Sequence, residues 1–210
     1  MIENPPAPPS FWDQAAERWD SFLADGLSFV NHEEAFRRFH WFLKRVVKIG
    51  NRTKSFRLLD LACGTGEAAW PLWKRVASVT FLDRSAAMLR LARNKWPKGV
   101  FVRGEAERLP FLDSEFDVVV SRGALLSQLD PDDLPDFFRH LRRVTRPGAL
   151  ILLDFVTNRD RWSAPPHLFP GAWIKEQMLD LIAEHFPTAQ VLAYDGTDVH
   201  GLNRICLKRD

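Results

Sequence analysis

The stretch LLDLACGTGE, residues 58–67, decides how the rest of the chain is read. A short apolar run, interrupted only by the carboxylate of Asp60, leads into a glycine-rich turn. Such a run suits a strand buried on both faces of a parallel sheet. Gly64 and Gly66 carry no Cβ, so a ligand can approach the backbone closely there. In open parallel sheets ligands bind beyond the carboxyl ends of the strands, and the turn is therefore expected to bind one.

Working outward, four more apolar runs follow: SVTFLD (78–83), VFVRG (100–104), FDVVVS (116–121) and ALILLDF (149–155). The segments between them, about 66–76, 85–96 and 132–145, suit crossover helices. Ser85 and Asp130 are natural N-caps, and Pro131 fits a first helical turn. Pro71 predicts a kink or a late start in the first crossover helix. A helix near 173–185 precedes AQVLAYDG and NRICLKR, read as two antiparallel strands around the turn-rich DVHGL. Upstream, residues 1–9 are proline-rich and expected to be flexible, and Ser10 can cap a helix carrying Phe11, Ala15, Trp19, Phe22 and Leu23. A second helix is expected over about 31–48. The sum is a doubly wound α/β domain over 51–210 with a mixed sheet edge, preceded by a helical cap in 1–50.

The glycines alone leave the ligand open. Gly64, Gly66 and Ala69 also satisfy the G-x-G-x-x-A pattern of dinucleotide enzymes, and Asp83 could hold ribose hydroxyls in either case. Charge separates the candidates. Asp60 precedes the turn and Glu67 is expected at the helix start, where a pyrophosphate would sit. Two like charges about 5 Å apart repel by about 3 kcal/mol at an effective dielectric near 20. A ligand carrying an ammonium and a sulfonium suits these carboxylates better than a phosphodiester.

From these residues outward the chain resembles the class I S-adenosylmethionine-dependent methyltransferases, of the small-molecule type related to ubiquinone and menaquinone biosynthesis. LLDLACGTGE, VTFLDRSAAMLRLAR, VRGEAERLPFLDSEFDVVVSRGAL and LRRVTRPGALILLDF match that family's motifs in order over about 55–155. The resemblance implies strand order 3-2-1-4-5-7-6 in a seven-stranded mixed sheet, with strand 7 antiparallel. It implies S-adenosylmethionine as cofactor, with Asp60 and the Ala62, Cys63, Gly64 and Gly66 backbone at the methionine part. Asp83, with Arg84 beside it, takes the ribose hydroxyls, Met88 packs near the adenine, Glu105 and Ala106 meet the adenine edge, and Ser121 lies near the sulfonium. Trp19 of the cap joins the cofactor site where tyrosine is usual, without a hydroxyl for the cofactor carboxylate, and Arg18 or another basic cap residue is left as a substitute. Glu105 stands where aspartate is commoner, and Pro147-Gly148-Ala149 replaces proline-glycine-glycine.

Methyl transfer depends mainly on alignment and needs a general base only for an acceptor that must lose a proton early. No catalytic residue is assigned. His32, His40 and His167 lie where an acceptor could be faced, but packed or solvated histidines are the plainer reading. Trp12, Trp19, Trp41, Trp162 and Phe169 could wall a planar acceptor, or simply pack the cap. SAPPHLFPG (163–171) is a candidate mobile lip. Eight basic and no acidic residues between Arg37 and Arg57 read as a solvated face, or as attraction for an acidic substrate or carrier protein.

Composition bounds the partners. With 210 residues, 46% hydrophobic and 27% charged, the chain is an ordinary globular one, and a net charge of +2 points to no nucleic acid. No apolar run approaches the roughly 20 residues that cross a bilayer, and the N-terminus lacks a secretory pattern, so a cytoplasmic protein is expected. Cys63 and Cys206 give neither a disulfide framework nor metal-ligand spacing and are expected as buried thiols. The expected function is methyl transfer to a small-molecule or carrier-tethered acceptor. The alternatives are a nicotinamide-dependent oxidoreductase and a catalytically silent binding protein of the same fold.

Overall fold

Successive residues of a strand face opposite sides of its sheet, and here both sides are covered. In strand β1 (Phe56–Leu61) Phe56 and Leu58 enter one apolar cluster, while Leu59 and Leu61 enter the other. This is why the strands read as continuous apolar runs. The computed structural model describes residues 11–17, 32–49, 55–157, 175–197 and 202–210. The remaining strands are β2 (Val76–Asp83), β3 (Val100–Arg103), β4 (Phe116–Val120), β5 (Thr145–Val156), β6 (Gln190–Thr197) and β7 (Leu202–Lys208). They form one seven-stranded sheet of order β3-β2-β1-β4-β5-β7-β6, with β7 antiparallel to both neighbours and the other pairs parallel. That is the order the resemblance implied.

Six α-helices accompany the sheet among the described residues: α1 (Phe11–Glu17), α2 (His32–Ile49), α3 (Ala86–Lys95), α4 (Leu125–Gln128), α5 (Leu134–Val144) and α6 (Lys175–His185). In α5 the side chains of Leu134, Phe137, Phe138, Leu141 and Val144 recur at helical spacing and are fully buried. Each contributes roughly 1.5–3 kcal/mol of burial, whereas propensity differences are worth a few tenths, so packing holds this helix. Helix α2 covers the other face with Phe39, Phe42, Leu43, Val46 and Val47 and leaves Arg37, Arg38, Trp41, Lys44, Arg45 and Lys48 exposed.

Three expectations change. The first crossover is not a helix: 66–76 holds one 3-10 turn, Trp70–Leu72, with Pro71 at its start. Proline lacks the amide that a helix interior needs, and the segment makes local i→i+3 bonds such as Trp73 N to Trp70 O at 3.3 Å. The 132–145 segment divides into a 3-10 turn, Pro131–Asp133, capped by Asp130, followed by α5. Helix α4 was not anticipated. The flexible 1–9 segment, the Ser10 cap, the 163–171 lip and the DVHG part of the final turn lie outside the described residues. Both cysteines are free and buried, as expected, and burial pushes the Cys206 thiol up to about 12.

Candidate functional site

The strand order reverses direction between β1 and β4, the place where open sheets of this kind form a ligand crevice. The register pairs Asp60 with Val120, which sets Ser121 and Arg122 across from Leu61 and Ala62. Asp60 is 1% exposed, and its Oδ2 accepts the Ala69 amide at 3.1 Å. Its Oδ1 is buried with no hydrogen-bond partner among the described residues, and so is the Ser121 hydroxyl on the facing strand. Orphaned buried polar atoms are costly and rare in native folds, and here one stands at each of two neighbouring strand tips. Burial pushes the Asp60 carboxyl well above the usual range; the Ala69 amide and Arg122 pull it back, and the Asp83 charge adds to the rise.

The backbone beyond both strands is also unusual. Ala62 and Ala124 hold left-handed φ values of 53° and 59° despite carrying a Cβ, a conformation that costs roughly 1–2 kcal/mol and gathers at functional sites. The two glycines of the first turn turn out to differ. A Cβ on Gly64, at φ +53°, would meet no atom within 4 Å. On Gly66 it would lie 2.7 Å from the Trp96 ring and 2.9 Å from Phe81. Packing as well as a left-handed φ therefore holds this position to glycine. Trp96 also donates its indole N–H to the Thr65 carbonyl at 3.3 Å, a contact the sequence gave no sign of.

Asp83 ends β2 and organises the neighbouring tips. Its Oδ2 accepts the Gly64 amide at 2.8 Å and its Oδ1 the Ser85 amide at 2.9 Å. Each carboxylate oxygen has a second lone pair, so both amides leave room for further donors. Burial raises its pKa. Ser85 caps α3 by accepting the Met88 amide at 3.1 Å. Asp13 of α1 reinforces that cap: its Oδ1 accepts the Ser85 hydroxyl at 2.6 Å and the Ala87 amide at 3.2 Å. Helix α1 thereby docks beside the β2 tip, and sequence reading missed Asp13. The one usable signal was the need of α3's first amides for an acceptor.

Asp60, Ala62, Cys63, Gly64, Asp83, Arg84, Glu105, Ala106 and Ser121 thus gather at one edge of the sheet, with Met88 buried in the first turn of α3. The Cys63 thiol is itself buried. Arg84 and Glu105 are exposed, and Ala106 opens a short 3-10 turn just past β3. Trp19 and Arg18 lie outside the described residues, as do the side chains of His32, Trp162, His167, Phe169 and His200.

Glu67 contributes less than expected. It lies between two turns, not at a helix start, and Lys95 pairs with its Oε1 at 2.8 Å while also donating to Thr65 Oγ1 at 3.1 Å. Disfavour toward phosphate therefore rests on Asp60. It also rests on the missing helix, since a pyrophosphate is normally met by an α-helix N-terminus and a single 3-10 turn follows Gly66. His40 of α2 places Nε2 3.3 Å from the Glu67 carbonyl, which can only accept, so Nε2 carries the proton. Burial lowers its pKa, helped by Arg122 and Lys44, and the ring clamps α2 to the glycine turn. His140 lies beside Arg143, and His185 stacks on Phe138 at 5.3 Å. Among the described residues no group of three or more His, Cys, Asp or Glu is placed to hold a metal ion. No helix among them is long and apolar enough to cross a membrane.

Beyond β4 lies a polar cluster that no motif announced. Both oxygens of Asp154, in β5, accept loop amides: Gly123 at 3.2 Å and Ala124 at 2.8 Å. Arg204 of β7 pairs in register with Asp154 and is buried. Asn203 donates to Thr157 Oγ1 at 3.1 Å and accepts the Tyr194 hydroxyl.

A methyltransferase domain family matches residues 58–148. The 2-phytyl-1,4-naphtoquinone methyltransferase of Synechococcus elongatus is 31% identical over 208 residues, covering 89% of this chain and 84% of that one. The malonyl-[acyl-carrier protein] O-methyltransferase of Serratia marcescens is 35% identical over 111 residues, covering 53% of this chain and 42% of that one. The chain spans about 60% of the length of several other curated relatives it matches. An S-adenosylmethionine-dependent methyltransferase from Clostridium acetobutylicum superposes with a TM-score of 0.72 at 15% identity, over 95% of this chain and 99% of that one. Likeness to the Synechococcus enzyme over most of both sequences agrees with the strand order, and the chain belongs to the class I S-adenosylmethionine-dependent methyltransferases.

Proposed function

We propose that the chain binds S-adenosylmethionine in the β1–β4 crevice and directs its methyl group onto a small-molecule acceptor. The observation that carries this reading is the pair of orphaned buried oxygens, Asp60 Oδ1 and Ser121 Oγ, at the neighbouring tips of β1 and β4. When bound, S-adenosylmethionine supplies a methyl group already activated by a sulfonium. The residues present fit such a ligand. Asp60 and Ser121 offer acceptors to an ammonium, and the ammonium in turn stabilises the ionised form of a carboxyl that burial alone disfavours. Asp83 offers its remaining lone pairs to the ribose hydroxyls, with Arg84 beside it. The open space over Gly64 admits the ligand chain against the backbone. Met88, Glu105 and Ala106 stand on the adenine side. What the protein contributes is alignment and exclusion of water.

A planar quinol-type small molecule is the acceptor, a reading supported by likeness to the 2-phytyl-1,4-naphtoquinone methyltransferase of Synechococcus elongatus. Incubation with S-adenosylmethionine carrying a labelled methyl group and a panel of naphthoquinols should give a labelled organic product. Reduction or oxidation of the panel with a nicotinamide, and no labelled product, would refute methyl transfer. A second reading is favoured by the exposed cationic face of α2, where Arg45 lies 5.2 Å over the 61%-exposed Trp41 ring. There the acceptor arrives on an acidic carrier protein. Arg37→Glu with Arg45→Glu should then raise KM for a carrier-bound acceptor severalfold without changing cofactor affinity; equal KM would discard this reading.

A further inference from the structure

We infer that Trp96 and Lys95, at the far end of α3, are positioning residues for the cofactor: together they lock the Thr65–Gly66 part of the glycine turn in the shape that binds it. This rests on the S-adenosylmethionine reading above and deepens it by naming two residues outside the turn on which affinity depends.

The turn needs holding. Ala62, Gly64 and Gly66 have φ values of 53°, 53° and 81°, and left-handed backbone of this kind persists where its surroundings over-determine it. The first half is fixed from β2: Cys63 N donates to the Leu82 carbonyl at 3.0 Å and Gly64 N to Asp83 Oδ2 at 2.8 Å. The second half is fixed from α3. Trp96 donates its indole N–H to the Thr65 carbonyl at 3.3 Å. Gly66 N, the other end of that peptide unit, donates to the Cys63 carbonyl at 2.8 Å. Lys95 Nζ donates to Thr65 Oγ1 at 3.1 Å and to Glu67 Oε1 at 2.8 Å. Thr65 itself is buried. Both ends of the Thr65–Gly66 peptide unit and the side chain beside it are thus taken, two of the partners coming from residues about thirty positions later.

The clamp is itself rigid. Trp96 N closes α3 by donating to the Ala92 carbonyl at 2.8 Å. Its ring packs against Trp73 at 5.0 Å and Trp70 at 5.2 Å, and stacks on Phe81, which in turn stacks on Phe101 at 5.1 Å. A Cβ on Gly66 would lie 2.7 Å from the Trp96 ring, so that ring bears directly on the backbone of the turn. The indole donor cannot swing away without displacing three neighbouring rings.

Gly64, one residue before Thr65, has the open space over it. Rotation of the Thr65–Gly66 peptide unit would break the Gly66–Cys63 bond that closes the turn around Gly64 and Thr65. A turn already held loses less freedom when a ligand packs on it, so the clamp acts on cofactor affinity. The Lys95–Glu67 pair is partly exposed, and such pairs add little to stability. An effect of Lys95 on affinity therefore reports the turn rather than the fold.

Two measurements on the full chain test this: calorimetric titration with S-adenosylhomocysteine, and hydrogen exchange of the Gly66 amide without ligand. Trp96→Phe keeps a ring and removes the N–H. It should weaken binding on the order of tenfold, the worth of one net hydrogen bond. Gly66 exchange should quicken by about the same factor beyond any change at Val119, whose place in central strand β4 makes it report global unfolding. Lys95→Met should weaken binding roughly threefold, and Lys95→Arg should restore most of it. A stoichiometry near one in each variant keeps loss of folded protein from imitating weaker binding. Unchanged affinity in Trp96→Phe overturns the inference, and so does weakened affinity with Gly66 exchange unaltered relative to Val119. If Trp96→Phe does not fold, the lysine variants decide: unchanged affinity in Lys95→Met, or no rescue by Lys95→Arg, overturns it. Wild type that does not bind S-adenosylhomocysteine sinks the cofactor reading itself, an outcome distinct from these.

Discussion

The two halves of the sheet edge are built differently. On the β2–β1 side, Asp83 takes amides 19 residues upstream and two residues downstream, Ser85 caps its own helix, and the glycine turn closes on itself with Gly66 N to Cys63 O at 2.8 Å. On the β4–β5–β7 side, Asp154 reaches back about thirty residues to the loop amides, and Arg204 arrives from a strand fifty residues later. The first half is local chain geometry, written in motifs; the second is tertiary pairing between segments that mean little alone. The difference teaches that the half built from short motifs is recognisable from its residues, while the half built by tertiary pairing exists only once the sheet has formed.

Breaking the second half should cost most in stability. Asp154→Ala removes two charge-assisted bonds to loop amides and leaves Arg204 facing no carboxylate in its register, a loss of roughly 2–4 kcal/mol. Denaturant unfolding reads this; a change under 0.5 kcal/mol would show that the loop holds itself. Gly66→Ala should cost about 1–3 kcal/mol, because the new Cβ enters the Trp96 and Phe81 rings at a left-handed φ. Gly64→Val has open space and should cost about 1–2 kcal/mol through φ alone, yet lose cofactor affinity on the order of a hundredfold. Wild-type affinity in that variant would remove Gly64 from the site.

The smallest effect sharpens the comparison by pH. The Asp60 carboxyl has a raised pKa in the fold, chiefly from burial. Folding therefore favours its protonated form, and its contribution to stability falls as pH rises from the unfolded carboxylate range through the folded value. Asp60→Asn should raise Tm of the ligand-free protein at pH 8, with a gain that shrinks toward pH 4, and weaken cofactor binding. A gain independent of pH would mean that Asp60 does not titrate in this way.

What was legible follows the same division. Asp60 and Asp83 at their strand ends and the Ser85 cap could be anticipated because each belongs to a short stretch with its own chemical reason, whereas the strand order came from the family resemblance. Pro71 announced that the first crossover would be irregular, although not that it would shrink to one 3-10 turn. Asp13 meets Ser85 across 72 residues of chain and Asp154 meets Arg204 across a sheet, and no periodicity carries such pairings. Gly66 looked like Gly64 in the motif, and only the Trp96 and Phe81 rings show that its surroundings are the tighter. Glu67 looked like an available charge until Lys95 closed on it.

The most direct measurement is calorimetric titration of the full chain with S-adenosylhomocysteine, alongside Asp83→Ala and a parallel titration with NAD. Micromolar binding of the first ligand, abolished in the variant and absent with NAD, is the expected result. Binding of NAD, or no heat with millimolar S-adenosylhomocysteine, would contradict the assignment of the crevice.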